Sequence, residues 1–503
     1  MEAIVVAVVL ALIIRHFSLE AFEIPTGSMA PGLNGVHVDS ECPNCGTTES
    51  IGINTDQVSG AVNERFSPGF ICEGKCPTCG VEIEAATMTS QDAVFCKSCS
   101  KHVELSPESF RRSNARCEIS AWCRECLYEY NEVFEPRDCL GGHKILVNKF
   151  VYNLRSPRRW EVIVFKFNRQ RNYIKRLIGL PGERVQVIDG DIWINGRIER
   201  KPEWAQRELW FPVHDSRRQE LGAVKPPAFE RTGEKIWQGG AQDLTFNALP
   251  ADGGLIGSQG GLKYQREIRN RYAYNSARGA DNSKSSDSLV KDIRILADLT
   301  VNGVVNGAQG SVSFDIHNGD RIYRCLLPAS RGAPIVAGFY TAKLKVEGAG
   351  HGPFELLKSF ETVALRRKQS QSIDYFLADR QLVLSIDGTE IASFPLDQED
   401  LVEKGGVNAT VSIQFENLGG VFDRIQIFRD IHYTTMMNGP YAPYATTAPY
   451  VIPDGQYFAM GDNSPASMDS RYWKSVSGEN MLGRAFAIFW PALPWRFELG
   501  LIR

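Results

Sequence analysis

Two positions in this 503-residue chain have the residue type and local setting for nucleophilic chemistry, and one block has the spacing for metal. Ser28 sits in Glu23-Ile24-Pro25-Thr26-Gly27-Ser28-Met29-Ala30-Pro31-Gly32-Leu33. Gly27 leaves room beside the hydroxyl, and the prolines stiffen both flanks. A plain linker between an apolar leader and a domain would read the same way locally. Lys175 lies in Tyr173-Ile174-Lys175-Arg176-Leu177-Ile178. On a strand Tyr173, Lys175 and Leu177 share one face. A lysine set between an aromatic ring and a leucine is part-desolvated, which lowers its pKa and makes it a candidate neutral base. A surface lysine with its stem packed down fits that local pattern too. Such a base can activate a serine in place of histidine. The chain has only 8 histidines, none in a recognisable serine-protease setting.

The metal-type block is denser. Of 12 cysteines, all but Cys325 fall between residues 42 and 139. Cys42-Pro-Asn-Cys45-Gly46 and Cys76-Pro-Thr-Cys79-Gly80 are both C-P-x-C-G turns. Cys96-Lys-Ser-Cys99 and Cys123-Arg-Glu-Cys126 repeat the C-x-x-C spacing. Each knuckle aims two thiolates at one ion, so four pairs supply two tetrahedral zinc sites. The sequential pairing joins 42/45 with 76/79 and 96/99 with 123/126; a nested pairing is the alternative. Cys72, Cys117 and Cys139 are left over, and His102 is a candidate substitute ligand. The whole resembles tandem zinc ribbons. Disulfides are the competing reading if the block lies outside the cytoplasm.

The elements that must position these groups are mainly strands. A net charge of −3 gives no bulk basic surface for nucleic acid. Ala3 to Ile14 is almost wholly apolar, and residues 1–22 are expected to be a membrane anchor. A cleaved signal peptide is the alternative, disfavoured by Glu2 and by the lack of a small-x-small site before Glu23. Residues 36–140 form the cysteine block. From Gly142 the alternation indicates strands at 144–147, 160–167, 173–178, 184–188 and 192–194, with hairpin turns at Asp189-Gly190 and Asn195-Gly196. Residues 201–215 read as a connector. Residues 216–435 hold regular short strands at 293–299, 311–316, 381–386, 411–415 and 424–428, which indicate an inserted β-sandwich resembling a concanavalin-like jelly roll. Residues 436–444 read as the return linker.

Four blocks in order resemble the type I signal peptidases, membrane-anchored Ser/Lys proteases. They are Ile24-Pro-Thr-Gly-Ser-Met29 with Pro31 and Leu33; Gly142-His-Lys-Ile-Leu-Val-Asn-Lys-Phe150 continuing to Arg159-Trp-Glu-Val-Ile-Val-Phe165; Tyr173-Ile-Lys-Arg-Leu-Ile-Gly-Leu-Pro-Gly-Glu183; and Gly461-Asp-Asn-Ser-Pro-Ala-Ser-Met-Asp-Ser-Arg471, closing with Gly483-Arg484-Ala485. The resemblance covers roughly residues 1–35, 141–200 and 450–503. It implies a β catalytic domain built from residues 23–35, 141–215 and 445–503. It implies Ser28 as nucleophile and Lys175 as general base, with Ser467 orienting the lysine. It further implies the Thr26 hydroxyl and the Ser28 N–H as oxyanion donors, and Asp462 with Arg176 and Asp469 with Arg471 as supporting ion pairs. Phe22, Ile24, Leu33, Tyr173 and Ile174 would line shallow apolar pockets for small residues at −1 and −3.

The resemblance also implies acyl transfer without a catalytic cofactor. The substrates are signal-peptide-bearing preproteins, met at a lipid surface by a single-pass protein whose catalytic domain is extracytoplasmic. The sandwich is then a structural insert or a module for carbohydrate or another cell-envelope ligand. The chain departs from the family pattern at His143, where an acidic residue is usual, at Ala30 and Gly32, and at Ser464-Pro465, where the last loop usually starts with a basic residue. A catalytically silent envelope adaptor is the rival reading; the joint presence of Ser28, Lys175 and Ser467 favours the enzyme.

Overall fold

Alternating burial in Lys144–Asn148, with Ile145 and Val147 inward, marks a strand with one face on a core. It belongs to the sheet that carries the candidate catalytic residues. In the computed structural model the described residues are 19–52, 69–75, 78–79, 81–87, 93–95, 98–100, 102–104, 110–134, 140–167, 172–218, 221, 227–233, 236–238, 244–247, 259–270, 288–304, 309–329, 335–345, 350–360, 364–396, 409–435, 442–490, 492–493, 496–497 and 500–502. The main sheet is antiparallel. Its strands are β1 (Leu19–Glu23), β2 (Lys144–Asn148), β3 (Val162–Lys166), β4 (Asn172–Gly179), β5 (Gln456–Met460), β6 (Val476–Ser477) and β7 (Met481–Trp490), in the spatial order β1-β2-β7-β3-β4-β5-β6, and Gly500–Leu501 also pairs with β7. One face packs Ile24, Leu33, Ile145, Val147 and Val164 together. The other packs Ile163, Phe165, Leu177 and Ala459. A smaller sheet of Arg184–Ile188, Asp191–Ile194, Arg197–Ile198 and Tyr450–Val451 extends the domain. Its two hairpins turn at Asp189-Gly190 and Asn195-Gly196, all four residues at positive φ, as the dipeptides predict.

Leu19–Glu23 is a strand, pairing Phe22 with Ile145, so the expected anchor cannot run as a helix to residue 22. The apolar run up to residue 18 lies outside the described residues. Among the described residues no helix is long and apolar enough to cross a membrane.

The inserted region is a sandwich of an eight-stranded and a seven-stranded antiparallel sheet around one core that includes Phe314, Phe339, Tyr375 and Phe415. All five runs expected as strands are strands. Its limits differ from expectation. Residues 201–215 are not a plain connector: Glu203–Glu208 is helical, and Phe211–Asp215 pairs with the sandwich strand Leu418–Arg429. At the other end Ile431 and Tyr433 already pack in the core of the main-sheet domain with Trp160 and Ile178.

The joint between the two units is buried and charged. The Lys201 amine contacts Asp379 at 2.5 Å and Asp430 at 2.7 Å, with Asp191 and Asp292 alongside. Burial pushes the Asp292 carboxyl up to about 7 and the Asp430 carboxyl up to about 6, with neighbouring carboxylates adding to both and Lys201 opposing. One cation thus pairs with two of the four acids that the two units bring together. Removing one member of a buried ionic set costs about 3–5 kcal/mol, because the remaining charge has no partner. Lys201→Ala is expected to lose stability on that scale in urea denaturation, whereas exposed Lys345→Ala stays within about 0.5 kcal/mol.

Candidate active site

Lys175 lies mid-way along β4, opposite Ile163 of β3, on the face it shares with Tyr173 and Leu177. Its amine donates to the Ser28 hydroxyl at 2.6 Å. The two residues are 147 positions apart, and both are buried, at 4% and 8% exposure. Burial pushes the Lys175 amine down from 10.5 to about 8; Asp469 and Asp462 pull it partly back up, and Arg471 opposes them. Near neutrality a usable fraction of the amine is therefore uncharged and in contact with the hydroxyl it would deprotonate.

Ser28 is presented by a turn in which Ala30 N–H donates to Gly27 O and Leu33 N–H to Met29 O. The turn docks on the loop of the fourth block. Asn463 N–H donates to Ser28 O at 3.0 Å, and the Asn463 side-chain amide donates to Gly27 O at 3.0 Å. Gly461 makes this approach feasible: a Cβ there would stand 2.4 Å from Ser28 O and 2.2 Å from Ser467 Oγ. On the opposite flank Ile24 N–H donates to His143 O, and a Cβ on Gly142 would overlap Ile24 O at 1.6 Å. His143 itself accepts from Asn34 N–H through Nδ1 at 3.3 Å and meets His37 edge-on. Where the resemblance expects an acid, His143 thus accepts through a ring nitrogen.

Both expected ion pairs are present. Arg176 grips Asp462 with two parallel hydrogen bonds of 2.9 and 2.7 Å, and Arg471 grips Asp469 with bonds of 2.8 and 2.7 Å. Arg471 is fully buried and also donates to the Thr434 and Ser464 carbonyls and to the Ser464 hydroxyl. The Ser464 hydroxyl in turn accepts from Thr434 N–H at 2.8 Å. This explains the missing basic residue at position 464: the site is 1% exposed and filled by the segment returning from the sandwich. Sequence reasoning missed Asn463, Ser464 and Thr434. The signal that could have found them was that same departure at 464.

The other expected residues divide. Thr26 is exposed beside Ser28, and among the described residues neither its hydroxyl nor the Ser28 N–H has an internal hydrogen-bond partner. Ser467 Oγ is fully buried with no partner among the described residues, so the expected bond to Lys175 is not made in this structure. Ile24 and Leu33 are buried in one apolar cluster with the half-buried Phe22 and Ile174. Tyr173 lies on the Lys175 face, stacked on Phe167 at 4.5 Å, with the Lys175 amine 5.6 Å from its ring centre.

Of the expected metal ligands, Cys42, Cys45, Cys123 and Cys126 converge with all sulfurs within 4.8 Å. The sequential pairing is therefore wrong: 42/45 joins 123/126, the nested arrangement. The His37–Glu41 and Thr48–Gly52 hairpin carries the first knuckle, and the pair Phe110–Trp122 and Glu129–Phe134 carries the second. The sulfur separations Cys42–Cys126 and Cys45–Cys123 are 3.6 and 3.5 Å. Disulfide sulfurs stand about 2.05 Å apart, whereas four sulfurs about 2.3 Å from a tetrahedral ion stand about 3.8 Å apart. The four thiols are free and buried, and their set fits one ion. Of the remaining ligands, Cys79 and Cys99 are described, whereas Cys76 and Cys96 lie outside the described residues.

The family model for signal peptidase, peptidase S26, matches residues 137–226 and 384–490, which include Lys175 and Ser467 but stop short of Ser28. A probable signal peptidase I-2 of Synechocystis is 54% identical over 87 residues, 16% of this chain and 39% of that protein. A signal peptidase I of Bacillus caldolyticus is 38% identical over 62 residues, 12% of this chain and 34% of that protein. The chain thus spans little more than a third of these relatives' length. Its resemblance to type I signal peptidases is carried by both comparisons. Among solved structures, a carbohydrate-binding module from Bacillus subtilis aligns at 7% identity over 33% of this chain and 80% of its own, with a TM-score of 0.21. A Caenorhabditis elegans galectin aligns at 10% identity over 27% and 83%, with a TM-score of 0.18. The sandwich rests on its own sheets and core, not on these likenesses.

If Lys175 must be neutral to act, kcat/KM should rise about tenfold per pH unit at low pH and level off above about 8. The sign agrees with linkage: a depressed lysine favours the folded state above its unfolded value of 10.5, and that advantage is lost as pH falls through about 8. A pH–rate profile of wild-type protein on a peptide substrate checks this; a limb centred near 6.5 would point to a histidine instead.

Proposed function

We propose that this chain, whose S26 segments make it similar to type I signal peptidases, is a serine endopeptidase that removes signal peptides from exported preproteins. The observation that carries the reading is the buried contact of 2.6 Å between the Lys175 amine and the Ser28 hydroxyl. Lys175 takes the hydroxyl proton, and Ser28 Oγ attacks the scissile carbonyl. The Lys175 ammonium then protonates the leaving amine. Water hydrolyses the resulting ester with Lys175 again as base. The Ser28 N–H and the Thr26 hydroxyl, both without an internal partner among the described residues, serve the oxyanion. Ser467, whose buried hydroxyl makes no bond among the described residues, orients Lys175 only by turning to its amine in the working enzyme. Phe22, Ile24, Leu33, Tyr173 and Ile174 offer the apolar walls that select small residues at −1 and −3. The apolar run before residue 19 supports a retained membrane anchor, with the catalytic domain on the extracytoplasmic side.

We read the four-thiolate cluster as a structural zinc centre, away from the reaction, that ties the two knuckles together. Bound zinc would supply folding free energy there and no catalytic step.

Two outcomes test these readings. Purified protein in detergent should cleave a preprotein at its signal-peptide junction, and Ser28→Ala and Lys175→Ala should each lower kcat at least about 10³-fold. Undiminished cleavage by either variant would sink the assignment. Elemental analysis should find zinc, and Cys123→Ser should release one equivalent per chain. A Cys42–Cys126 disulfide found by mass mapping of the native protein would overturn the zinc reading.

A further inference from the structure

The Ser28 N–H belongs to the peptide unit whose carbonyl is Gly27 O. In a trans peptide those two groups point in opposite directions. Whatever holds Gly27 O therefore also aims the Ser28 N–H. Gly27 O accepts from Ala30 N–H within the turn and from the Asn463 side-chain amide at 3.0 Å. The next carbonyl, Ser28 O, accepts from Asn463 N–H at 3.0 Å. A carbonyl can only accept, so the Asn463 side chain must present its NH2 group to Gly27; its orientation is not a free choice. Asn463 is 3% exposed and lies 436 positions from Gly27.

The next residue fixes Asn463 in place. The Ser464 hydroxyl accepts from Thr434 N–H and from Arg471, and Arg471 also holds the Thr434 and Ser464 carbonyls. Thr434 lies just past Tyr433, where the chain re-enters the catalytic core from the sandwich. The path from the sandwich exit to the nucleophile is thus three residues deep and hydrogen-bonded throughout.

We infer that Asn463 is a positioning residue that locks the Gly27–Ser28 peptide with its N–H turned away from Asn463, where it can serve the oxyanion, and that Ser464 anchors Asn463 to the sandwich exit. The inference rests on the peptidase reading above for its effect on rate, and on geometry alone for the clamp. A donor aimed at the oxyanion acts in the transition state and contributes little to substrate binding. Losing its aim therefore lowers kcat and leaves KM in place.

The test uses the full chain in detergent with three variants, Asn463→Ala, Asn463→Asp and Ser464→Ala. Asn463→Asp keeps the side-chain shape but sets an acceptor against Gly27 O, which guards against a mere cavity effect. Each is expected to lower kcat at least about tenfold with KM within about twofold of wild type. In Asn463→Ala the acid limb of the pH profile should stay at its wild-type midpoint, because Lys175 is untouched. A kcat within twofold of wild type in both Asn463 variants overturns the proposal. So does a parallel rise in KM with a lowered melting temperature, which would mark a purely structural role. Hydrogen exchange over residues 24–33 reads the clamp independently of cleavage and should speed up at least about tenfold in the variants. If wild-type protein does not cleave, the peptidase reading fails by itself. Unchanged exchange would then overturn the clamp, and faster exchange would support it.

Discussion

The arrangement depends on keeping one lysine amine out of water. The charged form of Lys175 is disfavoured, and burial on β4 does that. The surrounding polar groups follow from the constraint. Asp462 and Asp469 would restore the charge if left bare. Each is instead gripped by a guanidinium, Arg176 and Arg471, that meets both carboxylate oxygens. The pairs hold the loop without adding net charge beside the amine. Charged groups can then sit close to the lysine while desolvation remains the largest influence on it.

The two insertions are joined to this site rather than hung from it. The knuckle Cys123-Arg-Glu-Cys126 touches the sandwich through Glu125, whose carboxylate accepts from Asp215 N–H and contacts His214, and whose carbonyl accepts from Arg266. The other knuckle receives Leu221 N–H on Asn44 O. From the same hairpin the chain runs back through His37 and Gly35 to Thr26, where a Cβ on Gly35 would fall 2.5 Å from the Thr26 carbonyl carbon. A metal ion in the four-thiolate cluster would stiffen the sandwich contact and the nucleophile flank together.

Much of this was legible in the sequence. The face of β4 followed from alternation, the two small hairpins from Asp-Gly and Asn-Gly, and the ion pairs from the motif positions. What stayed hidden was long-range pairing among similar parts. Four C-x-x-C knuckles look alike locally, and only strand pairing decides that 42/45 meets 123/126. Phe211–Asp215 read as a connector, yet it is an edge strand pairing with Leu418–Arg429, where Pro212 is tolerated. Ser464 looked like a loss relative to its family pattern. Its meaning appeared only when Thr434 was found against it.

The order of the segments along the chain has a consequence for time rather than geometry. Ser28 reaches Lys175 across 147 positions that contain the whole cysteine block, and Arg176 reaches Asp462 across 286 positions that contain the whole sandwich. Contacts between such distant segments close late in folding, after the chain between them has compacted. During synthesis Ser28 emerges before both inserts and the Asp462 loop after them, so the contacts around Ser28 assemble only when both inserts are built. The insertions thus set the order of assembly: the contacts of the Ser28 turn are complete only after both have been made.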